Sequence, residues 1–117
     1  MKKEDKELLL KDLCARLPYG VRVFVAGFSV NEELKTKHID AIMDDYDIKP
    51  YLRPMLSMTE EEVDKYYKFR TGEDRTKRLG ELDAGIFDLY NENHIDYRGL
   101  IGKGLAIEVT EENNPYK

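Results

Sequence analysis

Cysteine occurs once in this sequence, at Cys14, and histidine twice, at His38 and His94. A single thiol permits no internal disulfide and excludes metal sites built from several thiolates. Neither histidine has a Cys or His partner at zinc spacing, so each reads as a surface or half-buried side chain rather than a ligand. Cys14 falls among leucines and reads as a small core residue. No run of about 18 apolar residues is present, which argues against a membrane-spanning helix. No serine sits in a nucleophile-elbow pattern, and the chain has neither an internal repeat nor a low-complexity segment. Positive charge is also short: the net charge of −5 weighs against bulk attraction to nucleic-acid phosphates.

What is present suits one small domain. Hydrophobic residues make up 41% and charged residues 37% of 117 residues, enough chain to bury about two-thirds of its unfolded surface. The opening "MKKEDKELLLKDLC" mixes acids into what a secretion signal would keep apolar, so it reads as a charged helix and a cytoplasmic location is expected. Leu10, Leu13, Cys14 and Leu17 form a helical stripe, predicting a helix over 4–16 that Pro18 ends. "VRVFVAGF" alternates as a strand, "SVNEE" reads as a hairpin connection, and "ELKTKHIDAI" as a second strand whose Lys35 and Lys37 suit a sheet edge.

Further on, Thr59 and Glu62 make a capping box, with Met58 and Val63 as its hydrophobic staple. Val63, Tyr66 and Tyr67 form the expected inward face of that helix, and Pro50 and Pro54 hold the approach to it extended. The corner is explained by structure, with a partner-binding loop of Tyr51, Leu52 and Arg53 as the alternative. A polar loop over 70–78 and a helix over 79–93, with Gly85 inside it, are followed by a short strand at 105–109. "TEENNPYK" reads as a polar tail that frays, giving a domain over 1–110 and a tail over 111–117. The expected fold is α+β: a single small domain with about three helices on a small, mostly antiparallel sheet. The last strand, or a second copy pairing through a strand edge, completes the sheet.

Chemistry-bearing patterns are weak. "RGLIGKGLAIEV" has the glycines and lysine of a phosphate loop, but Gly99 stands three residues before Gly102 and Lys103 precedes Gly104 instead of Ser or Thr. Its resemblance to the GXXG loop of KH domains fails at Leu105, where that loop needs glycine. The glycines read instead as turn positions needing positive φ. Asp44, Asp45 and Asp47 lack the glycine and glutamate of a calcium loop and read as a solvated turn. Arg70, Arg75, Lys77 and Arg78, with Arg98 and Lys103, are the basic residues available to a nucleic acid.

The blocks "LPYGV", "PYLRPM-SMTEEE" and "DYRGLI-KGLA" resemble a family of short uncharacterised proteins from gut bacteria and their phages. Residues 26–45 and 70–80 lie outside the likeness, which implies one compact domain and carries over no activity or site residue. The expectation is a non-enzymatic interaction or accessory module with a protein partner and no cofactor, carried by a phage or mobile element. A nucleic-acid-associated regulator is the alternative.

Overall fold

A computed structural model describes residues 2–28, 30–64 and 87–116. The expected loop at 70–78, most of the expected helix at 79–93, and Tyr66, Tyr67 and Gly85 lie outside the described residues. Helix α1 spans Lys3–Arg16 and ends in a 3-10 turn, Leu17–Tyr19, that leads through Gly20 at φ 70 into the first strand. Strands β1 (Arg22–Val25) and β2 (Val30–Glu33) form a hairpin around a 3-10 turn at Ala26–Phe28. Helix α2 (Thr36–Met43), strand β3 (Ile48–Leu52) and a late strand β4 (Ile107–Glu108) follow. The sheet order is β2-β1-β3-β4, with β1 antiparallel to both neighbours and β4 parallel to β3. The fold is α+β, and β4 supplies the fourth strand from within the chain.

Helix α1 turns a different face inward from the leucine stripe. Leu9, Asp12, Leu13 and Arg16 are buried, whereas Cys14 is exposed. The spacing is the expected one, rotated by a residue, because Asp12 and Arg16 enter the core as a pair. Arg16 Nε donates to Asp12 Oδ2 at 2.7 Å, and neither side chain has any exposed surface.

The segment expected as a second strand is α2. Leu34, Thr36 and His38 alternate as a strand would, yet Leu34, His38 and Ile42 also recur every four residues, and all three are buried. Burial against the sheet at the helical period decides the outcome. The strand lies just upstream, in the "VNEE" that reads as a connection, so the sheet edge carries Glu32 and Glu33 in place of Lys35 and Lys37. Strand β3 runs through Pro50, which sits opposite Val23. Ala26 N–H donates to Asp47 C=O, and the alternation of the ladder makes Val23–Pro50 a pair without mutual hydrogen bonds. The missing N–H of Pro50 therefore costs β1 nothing. On its other side β4 begins only opposite Tyr51.

The core joins Leu9 and Leu13 of α1, Ile42 of α2, Val23, Val25, Ile48 and Leu52 of the sheet, and Leu100 and Leu105. The tail is not frayed at Tyr116, which packs against this core.

Candidate functional site

Each conspicuous motif is held by the fold itself. At the corner before residue 60, Thr59 N–H donates to Glu62 Oε1 and Glu62 N–H to Thr59 Oγ1, closing the capping box. Arg53 forks onto both oxygens of Glu62 at 2.8 and 2.7 Å and also donates to the Ser57 carbonyl. The guanidinium holds the Glu62 carboxyl down at about 2. Leu52 is fully buried, Arg53 is committed to Glu62 with part of its side chain in solvent, and Tyr51 is half-buried. Val63, expected to face inward, is exposed.

The glycine-rich stretch is closed at both ends. Asp96 accepts the amides of Leu100 and Ile101 on its two carboxylate oxygens, at 2.9 and 3.0 Å. The amides of Lys103 and Leu105 donate to Leu100 C=O, and that of Gly104 to Ile101 C=O. A phosphate cradle needs such amides free; here the chain uses them. Gly99 and Gly104 have φ near +75, as turn glycines should, while Gly102 does not. Arg98 donates to Asp12 Oδ1 at 3.2 Å and lies over the Tyr97 ring, so it is engaged inside the fold; Lys103 is exposed. Arg70, Arg75, Lys77 and Arg78 lie outside the described residues.

Asp45 is not part of a cation loop. It adopts φ 66 just past α2, with its own N–H on Ile42 C=O and Tyr46 N–H on Ala41 C=O, a Schellman closure. Its carboxylate meets Lys6 at 2.9 Å, and that partner keeps it below the usual carboxylate range. Among the described residues no group of three His, Cys, Asp or Glu side chains is placed to hold a metal ion. None of the described helices is long and apolar enough to cross a membrane.

His38 stands at the third position of α2 and does what a glutamate does in a capping box. Its Nδ1 accepts the Lys35 amide at 2.9 Å. The proton of the neutral ring is therefore on Nε2, which donates to Glu32 Oε2 at 2.7 Å. This bond is the first reason that Glu32 titrates below its ordinary range.

Among the described residues, one cleft gathers several exposed apolar side chains. Between the β1–β2 hairpin and α2 lies a cleft of about 470 Å³, walled by Val25, Ala41 and Ile48 and rimmed by Phe28, Val30 and Tyr46. Phe28 is 74% exposed and Tyr46 57% exposed. The Glu32–His38 pair and Lys37 close one end. Strand β2 borders the cleft and is the outer strand of the sheet. Leu34 N–H donates to Val21 C=O, which fixes the alternation and turns the backbone groups of Asn31 and Glu33 outward. A larger concavity of about 590 Å³ beside α1 has a mixed lining, with Ile42 and Leu105 beside several charged side chains, and is spanned by the Lys6–Asp45 bridge. The sequence reading missed the cleft because its rim comes from one hairpin turn and one helix end that meet only after folding.

Comparison of the chain with protein-family models, curated proteins and solved structures finds no match.

Proposed function

We propose that the protein is a non-enzymatic interaction module that binds a protein partner at the cleft between the β1–β2 hairpin and α2. One observation carries this reading. Large apolar side chains, Phe28, Val30 and Tyr46, stand exposed around an apolar cleft at the open edge of the sheet. An exposed apolar cluster with a polar border is the usual mark of a binding surface. The outer strand adds outward backbone groups at Glu33 and the Asn31 N–H to hold an extended segment, the Asn31 C=O being taken by Arg22 Nη2 at 3.1 Å. A cytoplasmic setting, resting on the charged opening stretch and the single cysteine, and a bacterial, phage or mobile-element origin, resting on the sequence blocks described above, belong to the same proposal. Nucleic-acid association draws less support, because Arg98 is spent on Asp12 and the net charge is −5.

The test is a selection of displayed random peptides on the immobilised protein, run in parallel on Phe28→Ser and Tyr46→Ser. Both side chains are largely exposed, so the variants should fold as the parent does. Peptides enriched on the parent that lose at least tenfold in affinity for the variants support the proposal, a loss of about 1.4 kcal/mol. Enrichment of nothing, or of binders indifferent to both substitutions, contradicts it.

A further inference from the structure

The pairing of β1 with β3 stops one rung short of where its register would carry it. Val25 faces Ile48, Phe24 faces Lys49 and Val23 faces Pro50, so Arg22 and Tyr51 are the next pair. The bond from Ala26 N–H to Asp47 C=O sets the alternation, and Arg22–Tyr51 is due to be a hydrogen-bonded pair. The direct bond is replaced. Arg22 N–H donates to the Tyr116 hydroxyl at 3.0 Å, and that hydroxyl donates to Tyr51 C=O at 2.7 Å. A side-chain hydroxyl from beyond β4 is thus inserted into the ladder. Its ring lies flat on the His94 imidazole, with centroids 3.9 Å apart and an interplanar angle of 8°.

The approach to Tyr116 is built locally. Asn113 accepts from the Thr110 amide and donates to Glu108 C=O, and the Tyr116 amide donates to Asn114 Oδ1. Strand β4 is held separately, by Val109 N–H on Leu52 C=O. The ring can therefore leave without unpairing β4.

We propose that Tyr116 is a reversible latch: it docks between β1 and β3, and when it leaves the two strands close the Arg22–Tyr51 rung directly. An ordinary structural strut leaves buried polar groups without partners when it is withdrawn, and that is costly. Here each state satisfies the same N–H and C=O, so the two lie closer in free energy than loss of a buried aromatic alone would suggest. What the docked state covers is His94. The imidazole stacks on the neutral Tyr116 ring and feels the positive charges of Arg16 from α1 and Arg53 after β3. Burial, with both guanidinium groups adding to it, holds its pKa down at about 4. Its Nδ1 is buried and has no partner. Undocking wets the ring, so acid favours the released state. This inference stands apart from the cleft and would survive its failure.

The experiment uses the full chain with Tyr116→Ala and Tyr116→Phe, read by nuclear magnetic resonance. One readout is hydrogen exchange of the Arg22 amide; the other is the pH titration of the His94 ring. In Tyr116→Ala the Arg22 amide should stay protected through the direct rung, while His94 titrates clearly above about 4, short of its ordinary value because Arg16 and Arg53 remain. Tyr116→Phe keeps the ring but cannot bridge the rung, so it should move His94 upward from about 4 in the same direction. The latch is overturned if Arg22 exchanges freely in either variant, since the strands then fail to close. It is equally overturned if His94 remains near 4 without the hydroxyl.

Discussion

Asp12 and Arg16 sit one turn apart on α1 with no exposed side-chain surface, and Asp12 is the counter-charge of Arg16. Arg98 adds a second cation on Asp12, and Arg16 Nη2 also donates to Ile95 C=O at 2.7 Å. Removing one member of a buried pair strands the other, at a cost of about 3–5 kcal/mol. Asp12→Asn should therefore lower unfolding free energy in urea by about that amount, and a loss under about 1 kcal/mol would show that the pair is hydrated in solution. Titration gives a second prediction at this scale. Glu62 titrates at about 2 when folded against an ordinary 4.5, so its contribution is complete above pH 4.5 and is lost as pH falls toward 2. His94, at about 4 against 6.5, acts the same way in a higher window: stability present above pH 6.5 drains as pH falls toward 4. Tyr116, pushed up to about 12 by burial, contributes below pH 10 and loses that contribution as pH rises toward 12. Acid unfolding followed by circular dichroism should show stability falling first through the His94 window, and Glu62→Gln should flatten only the lower one. An unchanged low-pH slope in Glu62→Gln would mean that Arg53 is not paired with it.

Elements depend on periods and caps, and here the caps bear most on what the sequence could disclose. The Thr59–Glu62 box was legible because its residue types are those of a helix start, and Thr59→Ala should cost about 1 kcal/mol in thermal unfolding. Helix α1, strand β1 and the late strand were also legible, from apolar period and from Pro18 and the glycines. The inward face of α1 was not, because hydrophobicity ranks Cys14 above Arg16 and says nothing of a partner at Asp12. Helix α2 was missed for two reasons: its first half alternates like a strand, and its start is capped by His38 in a role that glutamate usually fills. Its end was obscured too. Asp45 takes the positive φ that glycine marks in sequence, and His94 does so after the helical residues 87–92, with Ile95 N–H on Tyr90 C=O. A substitution pair checks α2 directly. Asp40 is exposed within it, so Asp40→Gly should be about 1 kcal/mol less stable than Asp40→Ala. Equal stabilities would argue that the segment is not helical.

Over the whole molecule, polar groups that look reactive in sequence are drawn into the frame. Asp96 and Arg98 of the "DYRGLI" block, Arg53 and Glu62 of the corner, and Asp45 of the acidic run all close turns or pair internally. The candidate site was not legible for the converse reason: Phe28 and Tyr46 are apolar residues in short turns, and nothing in their sequence context says that folding leaves them together in solvent. The described residues thus divide into a frame whose turns and ion pairs are closed internally and an apolar cleft between the β1–β2 hairpin and α2. Titrating the isotopically labelled protein with a peptide selected on it, and mapping the amide shifts, checks this division. The prediction is that shifts concentrate at 25–33 and 37–48, around the cleft and the outer strand. Shifts centred on 98–104 would contradict it, placing recognition on the loop whose amides Asp96 and the chain already occupy.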